Sequence, residues 1–252
     1  MITIKSAHDI ERMRAAGKVV EDTLLLLGRS VRVGITTEEL NRIADAYIRS
    51  CGAYPTFLNY NGFPKSVCIS VNDEVVHGIP GSRKLKDGDI VSCDVGATLN
   101  GFVGDAARTF LVGNVAEEAK KLVQVTRECF FEGLKFARVG YRVSDISKAI
   151  QAHAESHGYG VVRELVGHGV GRQLHEDPEV PNFYSPRARQ RLEAGMTIAV
   201  EPMINMGTAA VRQLDDGWTV TTRDGKPSAH YENSIAITDG DPILLTCSEA
   251  IR

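Results

Sequence analysis

Hydrophobic positions recur along this chain with two different periods. From Ile10 the residues Met13, Gly17, Val20, Leu24 and Leu27 follow at steps of three and four, which is one face of an α-helix. Ser6 and Asp9 stand where a capping pair would open it, and Gly28 is expected to close it. A coiled coil would use the same spacing, but three heptads without sustained partner charges favour packing on a core. A second helix is predicted after Gly34, with Thr36 and Glu39 as a capping box, Leu40, Ile43, Tyr47 and Ile48 as its apolar face, and Gly52 at its end. Two more helices are predicted over 117–137, with Leu122, Val125, Cys129 and Phe136 on one face, and over 144–157. Residues 53–64 read as a loop rich in aromatic side chains, 67–71 as a strand, and 72–89 as a loop carrying the run HGIPG.

The period changes to two in DIVSCDVGATLNGFVGDAARTF, residues 89–110. Asn100-Gly101 accepts positive φ at both positions and suits a two-residue hairpin turn. Facing residues then sum to 201, so Asp94 opposes Ala107 and Gly96 opposes Asp105. Side-chain alternation puts Asp94 and Asp105 on one face, two positions apart on the diagonal, and Val91, Val95 and Phe102 on the other. Two carboxylates so placed either face solvent or repel each other and hold a cation between them. The hairpin alone does not choose.

The plan of elements repeats. Gly34 and Gly52 bracket the second helix, and Gly140 and Gly158 bracket the fourth at an offset of 106. KDGDIVSCD places Asp94 six residues after Gly88, and EAGMTIAVE places Glu201 six residues after Gly195. The repeat implies an internal duplication with halves of roughly 1–112 and 113–252, within a single domain spanning 1–252. After Glu201 the next acidic residue on a strand is Glu232. The stretch between contains Asp-Gly turns at 216–217 and 224–225 and the only tryptophan, and it is expected to hang an extra hairpin on the same sheet.

Composition narrows the function classes. The chain is 43% hydrophobic and 24% charged, with a net charge of −3, so no global basic field invites nucleic acid or an anionic membrane. No apolar run nears the roughly 20 residues that span a bilayer, and MITIKSAHDIERM lacks the apolar stretch of a secretory signal. A cytoplasmic location and no membrane contact are expected. Five widely spaced cysteines without a CxxC read as reduced thiols.

Chemistry enters with ELVGHGVGRQLHEDPEVPNF, where glycines flank His168 and allow close backbone approach. Asp94, Asp105, His168, Glu201 and Glu232 all fall at or near strand segments of the duplicated frame. Such an oxygen and nitrogen set without thiolate suits one or two divalent ions such as Mn(II), Fe(II), Co(II) or Zn(II). Four carboxylates balance two such ions and leave a bridging hydroxide as the natural nucleophile.

These residues lie in longer stretches that resemble the type I methionine aminopeptidases: NYNGFPKSVCISVNDEVVHGIP (59–80), residues 87–110, GHGVGRQLHEDP (167–178), TIAVEPM (197–203) and DGWTVTTRDGKPSAHYENSIAIT (216–238). The resemblance covers essentially the whole chain. It implies an α/β (α+β) pita-bread fold, with pseudo-twofold halves and a curved, mainly antiparallel sheet covered by helices. It also implies metal-dependent removal of the initiator methionine from nascent proteins when the second residue is small. The metal ligands would be Asp94, Asp105, His168, Glu201 and Glu232, with Asp105 and Glu232 bridging two divalent ions (Co, Mn, Fe, Zn or Ni). A metal-bridging hydroxide would attack the scissile carbonyl, with Glu201 in proton transfer and His175 and His77 assisting. The methionine side chain would occupy a pocket of Tyr60, Phe63, Cys68 and Trp218, whose thiol and rings suit a polarizable thioether.

The resemblance also implies a monomer that meets nascent chains, with the ribosome as a possible partner through the basic run Arg187, Arg189 and Arg191. Three positions depart from the family pattern: His230, Asn233 and Leu174. Competing readings are a proline-specific aminopeptidase, a non-catalytic binding protein of the same fold, and a Cys68 nucleophile. The last leaves the carboxylate cluster unexplained and supplies no group to orient a Cys–His pair.

Overall fold

The computed structural model describes residues 2–247. Its first half runs α1 (Ala7–Ser30), α2 (Thr37–Ser50), β1 (Tyr54–Pro55), β2 (Cys68–Val71), β3 (Glu74–Val76), β4 (Ile90–Leu99) and β5 (Phe102–Leu111). The second half runs α3 (Glu117–Leu134), α4 (Val143–Ser156), β6 (Gly160–Val161), β7 (Gly167–Gly169), β8 (Glu176–Val180), β9 (Thr197–Val200) and β10 (Met203–Asn205). It continues through β11 (Val211–Gln213), β12 (Val220–Thr222), β13 (Ser228–His230), β14 (Asn233–Ala236) and β15 (Ile243–Leu244).

Both expected capping boxes form, Ser6 with Asp9 and Thr36 with Glu39. Two helix ends differ from the sequence reading. α1 continues through Gly28 to Ser30, and a Cβ at Gly28 would stand 2.7 Å from the Phe110 ring, so this glycine lets the helix lie on β5 rather than ending it. α3 stops at Leu134 because Phe136 and Ala137 turn back to Gly133 and Leu134 through tight i to i−3 hydrogen bonds.

The hairpin of β4 and β5 pairs as predicted, with Asp94 opposite Ala107 and Gly96 opposite Asp105. Asn100 and Gly101 take φ of 50° and 79° in its turn. Beneath it, Val91, Cys93, Val95, Ala97 and Ala106 pack under α1 and α2, with Leu24, Leu27, Leu40 and Ile48. β1 and β2 sit end to end along the far edge of β4.

The duplication is visible in the register itself. Shifting α2 by 106 residues gives the bounds of α4. The pairs Tyr54–Thr98 and Pro55–Ala97 become Gly160–Asn205 and Val161–Ile204. The second half has its own core under α3 and α4, built on Leu122, Phe130, Ile146, Ile150, Ile198 and Ile204. The halves meet where β5 runs beside the segment 230–234. Glu232 N–H donates to Ala107 O (3.0 Å), Ser234 Oγ donates to Asp105 O (2.8 Å), and Thr109 Oγ1 donates to His230 O (2.9 Å).

β11 and β12 form the extra hairpin, with Gly217 at φ 78° in its turn. It does not join the main sheet as expected. β12 pairs instead with β3, making a separate three-stranded sheet from an insertion of one half and a strand of the other. That pairing also gives residues 74–76, read as loop from the sequence, their strand. Among the described residues no helix is long and apolar enough to cross a membrane.

Candidate metal centre and cavity

Four carboxylates converge at the junction of the halves. Asp94 and Asp105 come from facing strands of an unbroken hairpin. Glu201 follows β9 and Glu232 precedes β14, at an interruption in the matching hairpin of the second half. There Val200 pairs with Asn233 and Met203 with His230, so the common register sets Glu201 against Glu232. Pro202 cannot donate to a ladder, and Glu232 turns its own N–H to β5 instead.

His168 is the middle residue of β7, which pairs with both β8 and β9. Its Nδ1–H donates to Gly169 O at 2.8 Å, since a carbonyl only accepts. This fixes the tautomer and leaves the Nε2 lone pair facing Glu201 Oε1 (3.5 Å) and Asp105 Oδ2 (3.7 Å). His175, just before β8, lies exposed at the rim, its Nδ1 2.7 Å from the Tyr60 hydroxyl and its ring 4.2 Å from that of His168. His77 follows β3 with φ 60°, and its ring stands edge-on to Trp218 at 6.4 Å.

Tyr60, Phe63, Cys68 and Trp218 line a cavity of about 330 Å³ that also reaches His77, His175 and all four carboxylates. The Phe63 and Trp218 rings pack edge to face at 5.2 Å. The structure thus brings every sequence-predicted site residue to one cavity. It adds His230 to that cavity, and behind it Arg108, neither of which the sequence reading assigned. His230 is 2% exposed and reaches into the same cluster. The buried Arg108 spans the junction, donating to Ala107 O, Glu232 O and Asn233 Oδ1. A signal for His230 was present in the sequence, because it stands two residues before Glu232, the spacing at which side chains of an extended segment share a face.

Electrostatics defines what this cluster lacks. Burial pushes Asp94 up to about 7. Burial, and then neighbouring carboxylates, raise Asp105, Glu201 and Glu232 well above the carboxylate range. Asp94 Oδ1, Asp105 Oδ1 and Glu232 Oε1 are buried with no hydrogen-bond partner. Burial lowers His168 to about 3 and His77 to about 4, with His175 adding to both, and the covering of one side of the His175 ring lowers it too. Neutral imidazole and crowded carboxylate oxygens with free lone pairs are the donor set of a divalent cation. The ligand atoms of Asp105, His168 and Glu232 lie within 4.8 Å of one another, as do those of Asp94, His230 and Glu232. These residues fit one ion in each group, with Glu232 common to both. Cys68, by contrast, is no nucleophile: burial, then Asp94, Asp105 and Glu232, hold its thiol well above its ordinary value and therefore protonated.

Metallopeptidase family M24 matches residues 11–239, and the chain belongs to that family. Within it the likeness is to the methionine aminopeptidases. That of Clostridium perfringens is 57% identical over 98% of this chain and 99% of its own length. Methionine aminopeptidase 1 of Bacillus subtilis is 50% identical over 98% and 99%. Among solved structures, the methionine aminopeptidase of Rickettsia prowazekii superposes with a TM-score of 0.96 at 43% identity, over 98% of this chain and all of that one. The pita-bread architecture and metallopeptidase chemistry expected from the sequence are thereby established, and with them the use of divalent metal.

Proposed function

We propose that the chain hydrolyses the peptide bond after an N-terminal methionine when the next residue is small, through two divalent ions held by Asp94, Asp105, His168, Glu201 and Glu232. The observation that carries this reading is the joining, in one cavity, of a buried carboxylate cluster with unpaired oxygens to a wall of aromatic rings and a thiol. When bound, the ions supply Lewis acidity and an acidified water. Everything else falls to side chains. Glu201, beside His168 at the cavity edge, takes the proton of the attacking water and returns it to the leaving amine. With the Tyr60 hydroxyl donating to His175 Nδ1, the ring proton sits on Nε2 and donates to the carbonyl oxygen as charge develops there. His77, opposite, donates to the substrate backbone. Phe63, Tyr60, Cys68 and Trp218 clasp the thioether, which bends into such a site without branching.

On this reading residues 1–252 act as one catalytic domain, a monomer that meets nascent chains in the cytoplasm. Metal-stripped protein titrated with Co(II), Mn(II), Fe(II), Zn(II) or Ni(II) and assayed on Met-Ala-Ser provides the test. Turnover is expected to rise with metal and to saturate at two equivalents. Cleavage of X-Pro peptides with Met-Ala-Ser left intact would overturn the substrate assignment.

A further inference from the structure

We propose that His230 is a sixth protein ligand, holding the ion on the Asp94 side of the cluster through Nε2. The proposal rests on the two-ion reading above and gives that site a second imidazole. His230 is buried, and neither of its ring nitrogens has a hydrogen-bond partner. A structural histidine in such a place would normally donate to or accept from a neighbour. Its backbone is held on both sides by Thr109, whose hydroxyl accepts from His230 N–H and donates to His230 O, both at 2.9 Å. The ring is therefore placed, and what it faces is oxygen. Nε2 stands 3.7 Å from Glu232 Oε2 and 4.0 Å from Glu201 Oε2. These gaps are too long for hydrogen bonds. Bonds of about 2.1 Å to one ion put neighbouring ligand atoms roughly 3–3.5 Å apart, so a small inward movement brings all of them onto a cation.

The duplicated register supports the assignment independently. Asp105 opposes Gly96. The offset of 107 that carries Gly88 to Gly195 carries Gly96 to Met203, and Met203 opposes His230. His230 thus occupies in the second half the place that Asp105 occupies in the first. With it, the two groups of converging ligand atoms each contain one imidazole: His168 with Asp105 and Glu232, and His230 with Asp94 and Glu232.

X-ray absorption of the full chain loaded with Co(II) tests this without any substitution. At two equivalents the proposal expects about one imidazole per ion, and a single histidine ligand would give about half of one. Calorimetric titration of His230→Gln adds a second readout, with the affinity for one ion falling at least about tenfold and the other retained. Two bound ions sharing one imidazole, or two unchanged affinities in a variant whose circular dichroism matches the parent, would overturn the proposal and leave the five-ligand site standing. A chain that binds fewer than two ions at any concentration would instead overturn the two-ion reading beneath it. Should His230→Gln fail to fold, the absorption count on the parent chain decides.

Discussion

The two halves solve one problem in two ways. In the first, β4 and β5 run ten residues each without a break, and the acidic pair lies on a diagonal of an intact ladder. In the second, the same hairpin is cut at Glu201-Pro202 and Tyr231-Glu232, and the acidic pair stands face to face in the cut. Backbone groups released there find partners outside the hairpin: Glu232 N–H binds Ala107 O, and Glu201 O accepts from Asn182 Nδ2 at 2.9 Å. An unbroken strand presents carboxylates cheaply but in fixed alternation. A broken one brings two together at one level, and needs the other half to satisfy what the break exposes.

The sharpest way to break this comparison is at the cut. Glu232→Ala removes the carboxylate common to both candidate metal groups, and both ions should leave, with kcat falling by at least about 10³. His168→Ala, taken from one group only, should lose one ion and regain part of its activity in excess metal. Elemental analysis beside kcat distinguishes them, and full metal content in Glu232→Ala would refute the shared-ligand assignment. Next in size is His175→Ala, which should keep its metal and its fold while kcat drops by about 10²–10³, because the lost donor acts on charge present mainly in the transition state. Metal loss in that variant would show that His175 holds an ion.

Arg108 tests the dependence of the cut on the other half. Arg108→Met removes the donor to Glu232 O and leaves Ala107 O and Asn233 Oδ1 with one donor each, Glu232 N–H and Thr246 Oγ1, at an expected cost of roughly 1–3 kcal/mol in urea unfolding. Metal removal should have a smaller, pH-dependent effect. Above about pH 6.5 histidine is mostly neutral in the unfolded chain as well as in the folded one, so it drops out of the balance. Buried carboxylates with raised values, Asp94 at about 7 among them, still hold protons that the unfolded chain has released. The folded state then binds more protons, so stability is lost as pH rises through those values. Chelated protein should therefore melt progressively lower as pH rises above about 6.5, through Asp94 up to about pH 7 and through the more strongly raised Asp105, Glu201 and Glu232 beyond it, while metal-loaded protein stays flat. The smallest effect concerns the ribosome. Arg187, Arg189 and Arg191 are exposed, and replacing all three with alanine should weaken cosedimentation a few-fold, with a lower salt dependence. Unchanged cosedimentation would remove that contact from consideration.

Much of the intact half was legible in the sequence, because its signals are local. Asn100-Gly101 fixes a turn, the turn fixes a register, and the register places Asp94 beside Asp105. The glycine bracketing of α2 and α4 was equally local, and the offset of 106 it revealed reappears in the strand pairing, as 106 from β1 to β6 and 107 from β4 to β10. The cut half was harder to read. Nothing near Glu201 announces that its opposite residue is Glu232, since the hairpin of β11 and β12 intervenes between them. Gly28 was misread because a glycine that lets a helix touch Phe110 looks like one that ends a helix. The pairing of β12 with β3 joins residues far apart in sequence, and neither strand is long enough to declare its partner. His230 was hard to assign for a different reason: its spacing of two from Glu232 is local, but its position departs from the family pattern, which implies five ligands.

Trp218 reaches the cavity from the insertion in the second half, and that insertion is braced on β3, which leads directly into His77. The Trp218 side of the wall that meets the substrate side chain is therefore a cassette, whereas Cys68 faces Asp94 across the β2–β4 pairing. Length or sequence changes in 206–227 can redraw the Trp218 side of the cavity while the strands that carry the carboxylates keep their pairing.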